Sequence, residues 1–354
     1  MRRYYLDNIR WITILTVLVY HVFLKYSGVV PGMGRPFAPV QYQDGIMYLL
    51  YPWFMILLFI VSGMCSRYYL EDHSIMEFIR SRTRKLLVPS TIGVLIFGYV
   101  SGYFNVAYSG GFDDNLLRLP APIVFLIVTA AGIGVLWFIQ MLWLFSMLLA
   151  LIRHFEKGKL YAFTERTNVI ATLLLGIIVW LSGLVLNTPV IVVYRFGVYT
   201  VAFFLGYFVF AHDEVIDRIS RWKALFIPAA VILGIVYLIL HFGDNYADMP
   251  VMGSISAMSF AWTAILAILG SAKVWADRTG PVSSFMSKKS WGIYIFHNTV
   301  ISAVALLLRD HTSISAVPCY LLTFAAALLG ALIMNEVISR IPFLRWCILG
   351  IKKE

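Results

Sequence analysis

Charge is what this chain lacks. Only 13% of its 354 residues are Asp, Glu, Lys or Arg, whereas 60% are hydrophobic. A soluble domain of this length needs charged and polar surface to stay dissolved, so this balance excludes an ordinary globular protein. Cysteine is scarce too. Cys65, Cys319 and Cys347 have no paired spacing and lie in or beside apolar runs, which suggests neither a disulfide framework nor a metal site. No GxxxxGK(S/T), HExxH or GxSxG occurs, so the common signatures of P-loop nucleotide hydrolases, zinc proteases and serine hydrolases are missing. No Ser-, Pro- or Gly-rich linker leads to a second domain, and 1–354 reads as one membrane domain.

What is present is apolar length. Ten stretches, at about 9–27, 45–64, 85–104, 136–153, 168–186, 194–211, 223–242, 251–271, 288–308 and 314–338, are each long enough to cross the hydrocarbon core as a helix. The fold class expected is therefore all-α: a polytopic bundle of about ten spanning helices. The apolar stretch 121–153 is too long for one crossing and too short for two, so 121–134 is expected to be a short re-entrant or interfacial piece. No repeat of the inverted-transporter kind is visible.

The cations orient the bundle. With the N-terminus inside and ten crossings, 23 of the 28 Lys and Arg residues fall on the inner side, leaving Lys25, Arg35, Arg118, Arg195 and Arg309 outside. Both termini are then cytoplasmic, and the net charge of +10 is a topology signal rather than a sign of nucleic-acid binding. Arg2 and Arg3 precede the first run as in a signal sequence. No small-residue cleavage site follows, and His21 and Lys25 interrupt its end, so the run reads as a retained helix.

Ionisable groups inside such helices are the candidates for chemistry, because they are costly in lipid. On the first helix Asp7, Arg10 and His21 fall at about 0°, 300° and 320°, one face. Asp7 and Arg10 are one turn apart and can pair. Asp7 is ~21 Å from His21 along the axis and cannot orient it. The run Arg80–Lys85, with Arg82, Arg84 and Lys85, carries no interspersed acid. It reads either as a positive-inside anchor or as a phosphate clamp, since guanidinium forks bind phosphate oxygens bidentately. Further along, SWGIYIFHN supplies Tyr294, His297 and Asn298, and LWFIQ supplies Trp137 and Gln140. Counting ~1.5 Å per residue from each inner end puts His21 and Gln140 ~20 Å deep and His297 ~14 Å deep, within range of one cavity. Taken singly, each is equally served by an interhelical hydrogen bond. Glu336, near the inner end of the last span, suits a structural ion pair at least as well as a catalytic role. Tyr48, Tyr51 and Trp53 read as an interfacial aromatic belt or a sugar-stacking mouth.

These pieces resemble a known family. RRYYLDNIRWITILTVLVYH is similar to the opening of the acyltransferase 3 family of bacterial membrane proteins. LLFIVSGM, RSRTRKLLVP, LWFIQMLWL, FFLGY and GIYIFH follow in the family's order over about residues 4–300. The opening and the SGM…RKLLVP region look nearest the glucan succinyltransferase branch. The resemblance implies that His21 is the catalytic histidine and that Arg82 and Lys85 match an Arg-x-x-Arg pattern, with Lys85 departing from arginine. It also implies that Asp7 and Arg10 match the opening motif and that Tyr294 and His297 match a late Tyr-x-x-His pattern. The last 50 residues carry little that matches, so Glu336 rests on its own chemistry.

The activity so implied is O-acyl transfer, acetyl or succinyl, from cytoplasmic acyl-CoA to a hydroxyl of an extracytoplasmic or envelope glycan, in the bacterial inner membrane. His21 would act as the general base. Arg82, Arg84 and Lys85 would bind donor phosphate. Tyr294, Asn298 or Gln140 is expected to orient His21. Acyl-CoA is a co-substrate, no tightly bound cofactor or metal is expected, and the partners are the glycan or another hydroxylated acceptor and the surrounding lipid. A proton- or sugar-coupled transporter, or an enzyme of polyprenyl-linked glycans, is the alternative. Consumption of a thioester separates them.

Overall fold

The computed structural model describes residues 3–186 and 194–352. Arg2 and Lys353, two of the inner-side cations, lie outside the described residues. The described chain is helical throughout its regular structure. Eight helices are long and apolar enough to cross a membrane: Tyr4–Lys25, Tyr42–Asp72, Ile75–Ser109, Gly134–Glu156, Lys223–His241, Ile255–Trp275, Pro281–His311 and Ala316–Arg340. A pair bent by 95°, Phe196–Phe210 with Asp213–Arg221, would make a ninth.

Each of the ten apolar runs becomes helix, but the fifth is shorter than expected. Asn168 caps its start by accepting from the Ala171 N–H, and Gly183 follows its last residue, so Val169–Ser182 has 14 residues, ~21 Å, short of a ~30 Å hydrocarbon core. The helix Ala121–Ala131 has 11 residues, also too short to cross. It packs closely on Tyr99–Ser109, because a Cβ on Gly102 would strike the Val128 carbonyl and one on Gly132 the Gly98 carbonyl. Small residues permit such contact where no hydrophobic force drives helices together in lipid.

The basic run does not precede the third span, as its sequence suggests, but forms the first turns of it. Ser74 and Glu77 make a reciprocal cap, with the Ser74 N–H on the Glu77 carboxylate at 2.8 Å and the Glu77 N–H on the Ser74 hydroxyl at 3.2 Å. That cap starts the helix at Ile75, ahead of the apolar run at about 85–104. Wide π turns at Thr83–Leu87 and Val94–Gly98 interrupt it.

The chain forms two compact units, each assembled from separated segments. The first comprises Met1–Thr13, Gly45–Arg80 and Leu144–Ser287, and the second Ile14–Asp44, Ser81–Trp143 and Lys288–Glu354. In the first unit the helix Gly45–Asp72 is the core. Gly63 meets the backbone at Phe203, and Gly206 meets it at Ile60, with no room for a Cβ on either. Tyr48 belongs to this core rather than to a belt or mouth: it is fully buried and its hydroxyl donates to the Asp244 carbonyl. Arg3 and Lys273 both pair with Asp213, at 2.7 and 3.3 Å. In the second unit the helices Pro281–His311 and Ala316–Arg340 follow one another and touch through two glycines, Gly292 against Asn335 and Gly330 against Val300.

Candidate active site

The second unit gathers three distant segments and with them His21, Arg82, Arg84, Lys85, Trp137, Gln140, Tyr294, His297, Asn298 and Glu336, whereas Asp7 and Arg10 belong to the first unit. The outer half of the first helix brings His21, the segment 81–143 brings the basic run with Trp137 and Gln140, and the C-terminal segment brings Tyr294, His297, Asn298 and Glu336.

Two histidines from this set meet. His297 is fully buried and His21 half-buried. Nε2 of His297 lies 3.3 Å from Nδ1 of His21, with the rings edge-to-face at 5.1 Å between centroids. The backbone fixes which nitrogens carry protons. Nδ1 of His297 is 3.0 Å from the Ile293 carbonyl and 2.8 Å from that of Tyr294. Carbonyls only accept, so this nitrogen donates. In a neutral ring Nε2 is then the acceptor. Nδ1 of His21 faces the Val17 carbonyl at 2.8 Å and the His297 lone pair, so it too must carry its proton. The remaining nitrogen, Nε2 of His21, holds a lone pair and has no hydrogen-bond partner among the described residues. The second ring nitrogen of each histidine is set by the bond the first makes.

The residues expected to orient His21 are engaged otherwise. The Tyr294 hydroxyl donates to the Val135 carbonyl, and its ring meets Phe138 edge-on at 5.7 Å. Gln140 donates to the Ser90 carbonyl at 3.0 Å. Asn298 is buried against Gly134, whose φ of +43° opens the turn Gly134–Leu136 ahead of Trp137. Trp137 is half-buried at the head of the helix Trp137–Glu156. Together Tyr294 and Asn298 seat the His297 helix on that turn. Glu336 bonds Lys289 and Arg340, each at 2.9 Å, which is the structural ion pair its position suggested.

In the basic run Arg82 and Arg84 are half-buried and Lys85 is exposed. Nε of Arg84 is buried without a hydrogen-bond partner among the described residues, and Trp143 braces the turn by donating to the Thr83 hydroxyl at 3.1 Å. The short helix Pro342–Leu349 packs against Val88–Gly93, and Gly350, at φ +65°, abuts the Arg84 carbonyl. Arg345 on that helix likewise has a buried Nε without a partner. Nothing in the sequence of the C-terminus pointed to Arg345.

Asp7 and Arg10 lie in the first unit, where Arg10 pairs with Asp7 at 3.7 Å and donates to the Cys65 sulfur at 3.0 Å. Arg10 thereby joins the first helix to Gly45–Asp72.

A helical membrane protein with a buried histidine pair and a basic run on one compact unit has the build of an integral-membrane transferase. The chain belongs to the acyltransferase 3 family: the family's acyltransferase-domain model matches residues 3–336. No curated protein and no solved structure matches it. It is a multi-pass membrane acyltransferase.

Proposed function

We propose that this acyltransferase moves an acyl group from acyl-CoA, held from the cytoplasmic side by Arg82, Arg84 and Lys85, to a hydroxyl of an extracytoplasmic glycan, with His21 as general base. The observation that carries this reading is the His21–His297 pair, whose hydrogen bonds leave one lone pair, on Nε2 of His21, without a partner among the described residues.

The chemistry follows from that lone pair. Nε2 takes the hydroxyl proton as the oxygen attacks the thioester carbonyl carbon. The C–S bond then breaks, and the proton on Nε2 passes to the departing thiolate, giving an ester and free CoA thiol. His297 acts by accepting from the Nδ1–H of His21. This bond holds the ring in the tautomer a base requires and steadies the imidazolium while it carries two protons. The thioester is already activated, so the protein's part is positioning and proton transfer.

The test is acyl-CoA binding to the detergent-purified protein across several acyl lengths, with wild type set against Arg82→Ala/Lys85→Ala. Saturable binding that the double variant loses is expected, together with thioester consumption that His21→Ala abolishes while donor binding persists. Binding of no acyl-CoA by a folded protein would sink the reading in favour of a transporter or a polyprenyl-glycan enzyme.

A further inference from the structure

Lys25 sits one helical turn beyond His21 on the same face, ~6 Å along the axis. Its ammonium has three N–H donors. One reaches Asn105 Oδ1 at 3.2 Å, and the face of the Tyr108 ring lies 5.2 Å away. No carboxylate lies within ion-pair distance of it among the described residues. Asn105 Oδ1 also accepts from the Ser302 hydroxyl at 2.6 Å, and Ser302 follows His297 by five residues on the same helix. One turn from His21, this end of the first helix therefore presents a cation with a single hydrogen bond among the described residues.

Its surroundings add positive charge. The Arg35 guanidinium lies 4.8 Å over the Tyr108 ring, opposite in sequence to Lys25, and is neutralised by Asp310 at 2.6 Å. Arg309 lies 4.4 Å over Phe37 and donates to the Pro36 carbonyl. Asp44, the other acid of this region, is buried and accepts from Gln41 at 3.2 Å. Of the five cations that the charge distribution leaves on the outer side, two thus lie over one tyrosine, and anchoring of the helices does not explain Lys25, which lies on the His21 face.

A half-buried ammonium lacking a counter-ion is costly in a spanning helix unless a ligand supplies the anion. We propose that one of the two reacting partners carries a carboxylate, that Lys25 binds it, and that Asn105 and Ser302 hold the ammonium in place. The spacing of one turn suits a carboxylate a few bonds from the reacting centre. Two sources meet that description: the far end of a dicarboxylic acyl chain, or an acidic sugar as acceptor. The site rests on the proposed transfer reaction for its meaning, but anion binding is measurable without turnover.

The experiment has two parts. In the first, purified wild type, His21→Ala, Lys25→Met and Lys25→Arg are titrated with sodium succinate and sodium glucuronate, and with succinamide and methyl glucoside as uncharged counterparts, following thermal stabilisation. A saturable effect of at least one carboxylate, absent with its uncharged counterpart, kept in His21→Ala and lost in Lys25→Met but not in Lys25→Arg, is expected. In the second, wild type is given succinyl-CoA against butyryl-CoA, and a glucuronide against a glucoside as acceptor. A preference of about tenfold or more in kcat/KM, the size of one charge-assisted hydrogen bond, is expected in one pair. Preference in the donor pair assigns the carboxylate to the acyl chain, and preference in the acceptor pair assigns it to the sugar. Turnover with no charge preference in either pair overturns the anion site while leaving acyl transfer intact. Carboxylate binding without any turnover keeps the anion site and overturns the transfer reading. The wild-type comparison decides the matter even where Lys25→Met does not fold.

Discussion

Nε2 of His297 and Nδ1 of His21 stand 3.3 Å apart although 276 residues separate them in the chain. Both are fixed from behind by backbone carbonyls of their own helices, Val17 for His21 and Ile293 with Tyr294 for His297. The pair resembles the arrangement in which a third group orients a catalytic base, with an imidazole in the place usually given to a carboxylate. An imidazole lone pair can accept a proton's hydrogen bond without bringing a negative charge into the span.

That arrangement separates two variants of His297. Gln at 297 has a carbonyl oxygen that can accept from the His21 N–H, whereas Ala leaves it with Val17 alone. His297→Ala is expected to lower kcat by about 10²-fold, the scale of a misplaced catalytic group, with KM for the donor little changed. His297→Gln should recover a large part of that loss. Equal activity of His297→Ala and wild type would remove His297 from the mechanism.

Most of the spans, the short 121–131 piece and the ion pairing of Glu336 were legible in the sequence because each follows from local rules: apolar length, insufficient length, and opposite charge at a helix end. The fifth run reads as a span only when its cap at Asn168 and stop at Gly183 are not weighed. The capping box at Ser74 and Glu77 was equally local, and reading it would have placed the basic run inside the third helix. What stayed hidden was pairing between helices. The sequence offered Tyr294, Asn298 and Gln140 as partners for His21, whereas His297 is the residue that meets it. The rotation and lateral neighbours of a spanning helix are set by contacts such as Gly292 on Asn335, which leave no periodic mark. Lys25, at four residues from His21, had a readable signal, but its lack of a carboxylate is a fact of three dimensions.

The donor site proposed at Arg82, Arg84 and Lys85 would extend to the C-terminal helix. Arg84 and Arg345 each keep a buried Nε without a hydrogen-bond partner among the described residues, and the helix that carries Arg345 packs on the turn following the basic run. Arg345→Met and Arg84→Met are each expected to weaken acyl-CoA binding by about 10-fold or more, as loss of a charge-assisted bond does. Binding to wild type should weaken with rising salt, and less steeply so in either variant. Isothermal titration at two salt concentrations reads both quantities.

Glu336 offers a contrast. Its carboxylate lies between Lys289 and Arg340, half-exposed, where ion pairs contribute little. Glu336→Gln is therefore expected to leave transfer within about twofold of wild type, since exposed pairs of this kind are energetically small. A loss of activity with unchanged melting temperature would instead put Glu336 in the reaction.

Gly292 tests whether helix packing sets the histidine pair. It precedes His297 by five residues, and a Cβ there would strike the side chain of Asn335, down to its own Cβ. Because the obstruction reaches the root of the side chain, rotation of Asn335 does not relieve it and one backbone must move. Overpacking of this kind typically costs about 1–3 kcal/mol, so Gly292→Ala is expected to lower the melting temperature and, by shifting His297 relative to His21, to lower kcat as well. Asn335→Gly removes every obstructing atom, its Cβ included. The double variant Gly292→Ala/Asn335→Gly should thus regain both stability and turnover relative to Gly292→Ala, and the coupling energy of the cycle measures the contact directly. Additive losses in the double variant would mean that the two helices are not positioned through this contact, and the registration of His297 would have to come from Tyr294 on Val135 and Asn298 on Gly134.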